Sequence, residues 1–194
     1  MLERINLKRD LHFQTNTSID TLDYSGTGLN SGSKLVVAAY GDKIRELSTS
    51  ANNQLQELTT FYNPQIAFPG VLVLQGNKFE SYEKAKQEFN SFNEEIKQKN
   101  IDLKGLPMIV ITDDSSFTAQ TLKNWLWVTF TRSNPSHDVY GINSFTEYKH
   151  FGCDNLMIDA RVKPHHAPAL ERIPEIEKQV DKLFEKGGSL NLIK

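Results

Sequence analysis

A chain of 194 residues with 38% apolar and 24% charged residues is long enough for one domain with a sizeable core, and too mixed for a disordered or membrane protein. A formal net charge of −2, with Lys and Arg scattered among Asp and Glu, argues against nucleic-acid binding, which favours a concentrated basic face. No apolar run approaches a membrane span and Met1 to Asp10 lacks a signal-peptide core, while a single cysteine, Cys153, excludes an internal disulfide and suits a reducing cytoplasm.

In chain order, Leu11-His12-Phe13-Gln14-Thr15 alternates as a strand does. Asp20 to Lys34 reads as a loop rich in Gly and Ser, and its Gly32-Ser33-Lys34 invites comparison with a phosphate loop. The order is wrong for one, because the loop precedes a strand at Leu35 to Ala39 instead of following a strand and opening a helix. Gly32, Ser33 and Lys34 are therefore weak candidates for cofactor contact beside a plain turn-forming role.

Leu55, Leu58 and Phe61 mark one face of a short helix, and Pro69-Gly70 punctuates before a buried run, Val71 to Leu74. Ser81 to Lys99 is the clearest helix, with Tyr82, Ala85, Phe89, Phe92 and Ile96 on one face. Met108 to Ile111 is another buried strand. Asp113-Asp114-Ser115-Ser116 suits a helix cap better than a metal site. The helix that follows should bury Leu122, Trp125, Leu126, Thr129 and Phe130, with Arg132 in its last turn and Pro135 ending it.

His137 to Asn143 and Leu156 to Val162 complete the strands, the second with Leu156, Ile158, Ala160 and Val162 on one face and Met157, Asp159 and Arg161 on the other. Pro174 opens a final helix whose buried stripe should be Ile176, Val180, Leu183 and Phe184, ended by Gly187-Gly188. Continuous apolar strands alternating with amphipathic helices predict a three-layer α/β domain, its sheet largely parallel and mixed at the edges. The expected division is an N-terminal extension at 1–34, the α/β domain at 35–186 and a loose tail at 187–194.

No Gly-x-Ser-x-Gly elbow is present, Cys153 has no zinc-type partner, and the adjacent His165 and His166 should point apart. The charged residues of most interest are Arg132, Asp138, Asp159, Lys163 and His165, around the two late turns. An ion-pair network fixing the chain reversal, with Arg132 bonded to Asp138 or nearby carbonyls, is the favoured reading. An anion or carboxylate site is the sharper one. Arg4-x-Asn6-x-x-Arg9-Asp10-Leu11 shares its spacing with Arg132-x-Asn134-x-x-His137-Asp138-Val139, each before a candidate strand. On sequence alone, chance accounts for so short a match.

Ile109-Val110-Ile111-Thr112-Asp113-Asp114, Trp125, Thr131-Arg132, Asp138, Ile158-Asp159-Ala160, Lys163 and Pro174-Glu175-Ile176, in this order and spacing, resemble the C-terminal part of the UbiD-like decarboxylases. Asp20 to Gly28 with Gly32-Ser33-Lys34 looks like the tail region of that family's longer members. The chain departs from the family pattern at Asn134, where Asp is common, and at Arg161, where Thr is common. The resemblance implies decarboxylation of aromatic or unsaturated acids with prenylated FMN, for example in quinone biosynthesis. It also implies a glutamate–arginine–glutamate constellation in an upstream catalytic domain, which maps onto no position here.

The expectation is thus a C-terminal domain of a longer carboxy-lyase that supports homo-oligomer assembly and packs beside the catalytic domain. It would be inactive alone and hold no prenylated FMN tightly. The alternative is a self-sufficient α/β protein holding an anionic small molecule through Lys34, Arg132 and Lys163.

Overall fold

Branched aliphatic runs that expose no polar face must be covered on both sides, and the chain supplies cover for three of them. The computed structural model describes residues 1–167 and 173–192, so the end of the tail expected at 187–194 lies outside the described residues. Strands β4 (Val71–Gln75), β5 (Met108–Thr112) and β9 (Asn155–Asp159) pair in parallel at the centre of a five-stranded sheet. Antiparallel edge strands, β3 (Tyr62–Phe68) against β4 and β6 (Val139–Ile142) against β9, complete the order β3-β4-β5-β9-β6. The mixed α/β sheet expected from the sequence is the sheet that forms.

Strand alternation divides the core in two. Leu72, Leu74, Ile109, Ile111 and Met157 face α1 (Tyr82–Gln98), while Val71, Val73, Met108, Val110, Leu156 and Ile158 face the opposite layer. That second layer contains α3 (Leu122–Thr131), with Trp125 and Val128, and an N-terminal hairpin of β1 (Leu11–Thr17) and β2 (Gly32–Val37). Each fully buried aliphatic side chain here contributes on the order of 1.5–3 kcal/mol. Short helices α2 (Ser115–Gln120) and α4 (Pro135–Asp138) and a small hairpin of β7 (Phe145–Glu147) and β8 (His150–Gly152) fill the connections. The helix α5 (Pro174–Phe184) follows β9 in the chain.

Several expectations are corrected. Tyr62–Phe68, unassigned from sequence, is a strand whose register with β4 is interrupted twice, so it carries no clean alternation. Gly32–Lys34 belongs to β2 instead of a loop. In α3 the buried residues are Trp125, Val128 and Thr129, whereas Leu122, Leu126, Trp127 and Phe130 are exposed. The helix is short and its apolar residues surround it, so spacing alone does not select the face. In β9 both faces are covered, and Met157, Asp159 and the following Arg161 are as deeply buried as Leu156. Val162 lies beyond the strand and is exposed. The stripe on α5 is also exposed, with Ile176, Val180, Leu183 and Phe184 each 40–51% accessible. The helix ends at Phe184, before Gly187.

On α1, Ser81 Oγ accepts from the Lys84 amide at 3.2 Å and starts the helix, as expected for a cap. Glu95, one turn before its end, breaks the apolar pattern for a reason. Its carboxylate accepts from the Thr59 amide (2.8 Å), the Thr59 hydroxyl (2.7 Å) and the Thr60 amide (2.9 Å), and pairs with Lys99 at 2.7 Å. Burial acts to raise its pKa, but these partners together outweigh burial and hold it at about 2. The folded pKa is depressed, so the stabilisation is present above the ordinary carboxylate pKa and disappears as pH falls toward 2. Glu95→Gln should cost about 1–3 kcal/mol at neutral pH by denaturant titration, because a charged acceptor is replaced by a neutral one. The deficit should vanish as pH drops from 4.5 toward 2; a deficit unchanged with pH would show that Glu95 acts through packing alone.

Candidate functional site

At the C-terminal ends of β5 and β9 the sequence places Asp113 and the run Asp159-Ala160-Arg161-Val162-Lys163, and these ends are where an open α/β sheet presents ligands. Asp113 Oδ2 accepts the Val162 amide at 2.9 Å and so ties one strand end to the other. The same oxygen meets Arg132 Nη1 at 3.2 Å, and the Arg132 guanidinium lies 5.2 Å from the centre of the Trp127 ring. Arg132 therefore pairs with Asp113 and not with Asp138, the partner expected from sequence. The reversal after α3 brings its backbone carbonyl, not its side chain, to the buried cluster.

That cluster is built on Lys163. Its ammonium donates to Arg132 O at 2.8 Å and Asp159 O at 2.6 Å, and lies 3.1 Å from Asp138 Oδ1. Asp138 Oδ2 accepts the Asn134 amide at 2.6 Å, closing the turn that Pro135 opens. Next to it Arg161 makes a two-pronged pair with Asp159, Nε to Oδ1 at 2.9 Å and Nη2 to Oδ2 at 2.7 Å. Arg161 Nη1 reaches Glu88 of α1 at 2.8 Å and Asn77 O at 3.0 Å, while Phe61 and Phe79 flank the guanidinium. Asp138, Asp159, Arg161 and Lys163 are each at most 1% exposed.

Burial pushes the Asp138 carboxyl up to about 6, outweighing the attraction of Lys163. Burial lowers His166 to about 4, with Lys163 adding to the effect, and the Lys163 amide donates to His166 Nδ1 at 3.2 Å. Burial also raises the Tyr82 hydroxyl to about 12, and Asp138 and Asp159 add to that shift. His165 is exposed and makes none of the cluster's ion pairs. Its ring packs edge-on against His166 at 4.7 Å, because the segment turns instead of extending, so the two side chains do not point apart. The sequence thus marks Asp138, Asp159 and Lys163 as one group. It does not mark Glu88, hidden in the charged pattern of α1, or Arg161, which follows β9 on the side that alternation gives to Met157 and Asp159.

Over the cluster lies an open cleft of about 1360 Å³, walled by Phe79, Trp127 and Phe130. Its charged lining includes Asp20, Asp23 and Asp113 against Lys78, Arg132 and Lys163. Lys163 is closed off by its own contacts and Arg132 is paired, so the cleft carries no surplus of positive charge. Its apolar wall suits a protein segment better than a free carboxylate.

The Gly/Ser segment forms no phosphate cradle. Gly32 abuts the Ile19 side chain, Ser33 Oγ bonds Asn134 Oδ1 and accepts the Ser136 amide at 2.7 Å, and Lys34 points to solvent from β2. These residues do not fit the phosphate of a flavin cofactor. Cys153 is buried in the second core and burial raises its thiol to about 12, while His150 Nε2 sits 3.0 Å from Lys8 O, so the two form no nucleophilic pair. Among the described residues no group of three or more His, Cys, Asp or Glu could hold a metal ion.

Residues 1–39 match the family model for the 3-octaprenyl-4-hydroxybenzoate carboxy-lyase C-terminal domain. A protein of Chlamydia pneumoniae, named as one of the subunits of a 4-hydroxybenzoate decarboxylase, is 30% identical over 185 residues, covering 93% of this chain and 29% of the relative. The chain is similar to the UbiD-like C-terminal domains. A protein of Chlamydia muridarum is 29% identical over 96% of this UbiD-like chain and 30% of its own length. One of Chlamydia trachomatis is 28% identical over 88% of the chain and 28% of its own length. The chain spans under a third of the length of these relatives. No helix among the described residues is long and apolar enough to cross a membrane.

Removing the buried ammonium and removing the cleft guanidinium should have different costs. Lys163→Ala leaves Asp138 buried without its cation, while Asp159 keeps Arg161, and should destabilise by about 3–5 kcal/mol. Arg132→Ala removes a partly exposed pair and should cost about 1 kcal/mol or less. Equal losses in urea denaturation would mean that Lys163 does not hold the cluster.

Proposed function

We propose that this chain is a supporting unit of a UbiD-like carboxy-lyase, with the reacting centre in another part of the protein. The observation that carries this reading is the closure of the buried charges. Lys163 and Arg161 are surrounded by carboxylates and carbonyls of their own fold, so neither is free to receive an acid substrate. Asp138 accepts the Asn134 amide and stands beside the Lys163 ammonium, and Glu88 pairs with Arg161. Ile158-Asp159-Ala160 and Lys163, which carry part of the resemblance to the family, serve here to lock the end of β9 to α1 and to the turn after α3. This makes the unit a rigid wall, and the apolar cleft above the wall is the surface against which a catalytic domain would rest.

Decarboxylation leaves a carbanion-like centre, and in this family prenylated FMN would supply the electron sink while the protein positions the acid and delivers a proton. The residues of this chain would contribute by shape and rigidity. An independent anion-binding protein is the less favoured reading, because Lys34 is outside the lining of the cleft that Arg132 and Lys163 border, and both of the latter are paired.

The test mixes the purified chain with prenylated FMN and 4-hydroxybenzoate and follows flavin absorbance and carbon dioxide. Weak flavin binding and no turnover are expected; stoichiometric binding with turnover would place a whole active site in these residues.

The exposed stripe of α5 points to assembly with a second copy. Light scattering should report a dimer or larger species, and pairing Val180→Asp with Leu183→Asp should shift it toward monomer. A monomer at every concentration would remove assembly from the unit's role.

A further inference from the structure

The match between Arg4–Leu11 and Arg132–Val139 extends beyond residue spacing. The Asn6 amide donates to Asp10 Oδ2 at 2.9 Å, and the Asn134 amide donates to Asp138 Oδ2 at 2.6 Å. The Arg9 and Asp10 amides return to Asn6 O at 2.9 and 2.8 Å, as those of His137 and Asp138 return to Asn134 O, both at 2.9 Å. Each turn then enters an antiparallel pair in the same register. Leu11 faces Val37 and Phe13 faces Leu35; Val139 faces Ile158 and Gly141 faces Leu156. Leu35, Val37 and Ala39 thus correspond to Leu156, Ile158 and Ala160, and both sets pack against the second core. Shared spacing, shared turn hydrogen bonds and shared register together are beyond chance. The chain contains one unit and the closing portion of another.

The two portions differ in what covers them. Strand β9 pairs in parallel with β5, its flanking amides at Leu156 and Ala160 donating to Pro107 O at 2.9 Å and Ile111 O at 2.8 Å. Its other face lies under α1, where Phe89 stacks on Tyr140 at 3.9 Å. Among the described residues, strand β2 pairs only with β1. The Ala38 amide donates toward β1, to Asp10 O at 3.2 Å, so strand alternation turns the Leu35 and Val37 amides to the open edge. Val36 is 47% and Tyr40 93% exposed, where their counterparts Met157 and Arg161 are fully buried. An open edge beside an apolar face is a ready template for another strand.

We propose that the open edge of β2 and the Val36–Tyr40 face receive a parallel strand and its covering helix from a second UbiD-like C-terminal unit outside these 194 residues. Residues 1–39, the span of the family match, are the closing hairpin of that unit, and the sheet from β3 to β9 is a further copy of it. Another copy of this chain cannot supply the strand from its own β5, which is paired on both sides. Relatives more than three times as long as the aligned region have room for the missing elements. The inference rests on the reading that the chain works within a larger UbiD-like protein.

The experiment follows amide hydrogen exchange at Leu35 and Val37 in the full chain, alone and with a probe. The probe is the part of the Chlamydia pneumoniae relative outside the aligned 185 residues, made separately and checked as folded by circular dichroism. A stoichiometric complex should form, exchange at Leu35 and Val37 should slow by about tenfold or more, and Val36→Asp, at an exposed position, should weaken the complex by a similar factor. A complex that leaves exchange at these amides unchanged would overturn the edge assignment while leaving the larger reading intact. No complex would overturn both. Slowing in the chain alone that grows with its concentration would give the edge to a second copy and likewise overturn the proposal.

Discussion

The ammonium of Lys163 is the point on which the late half of the fold depends. It is fully buried, and its contacts join the end of α3, through Arg132 O, the end of β9, through Asp159 O, and the turn at Asp138. A buried cation is costly unless its protons meet good acceptors, and here two carbonyls and a carboxylate surround it. The arrangement contributes more to specificity than to stability. Few alternative packings of α3, α4 and β9 would satisfy the same proton set, so the cluster selects one.

From that constraint the rest of the sheet end follows. Asp159 is shared between Lys163 and Arg161, and Arg161 passes the link on to Glu88 of α1. One chain of ion pairs therefore crosses from the layer of α3, through the plane of β9, to the helix on the opposite face. Asp113 repeats the device on the solvent side, joining the ends of β5 and β9. The cleft above is left with apolar walls and charges of both signs, as a surface prepared for contact would be.

Much of this is legible in the residues and some is not. The runs Val71 to Leu74 and Met108 to Ile111 can only be covered strands, and the spacing of Ala85, Phe89, Phe92 and Ile96 admits one helix face. Trp125 is a buried anchor by the same reasoning, but Leu126 and Phe130 are not, because a ten-residue helix with apolar residues on every side does not state which side is inward. Asp159 and Arg161 read as a polar face because alternation carries no information about a helix that covers it. Their burial needs Glu88, which is far away in sequence and indistinguishable there from the other charges of α1. Closeness in the chain points Arg132 to Asp138, whereas the fold gives that carboxylate to Lys163. The repeated turn is written in both halves, yet only the paired hydrogen bonds and strand register separate it from coincidence.

The central claim is that the charge cluster is a closed structural element and not a site awaiting an acid. Nitrogen-15 NMR of the Lys163 ammonium tests it most directly. A closed cluster predicts a resolved, slowly exchanging ammonium signal at neutral pH that keeps its position when 4-hydroxybenzoate is added to saturation. A signal averaged with solvent, or one that moves as the acid is added, would contradict it and make Lys163 a ligand-binding residue.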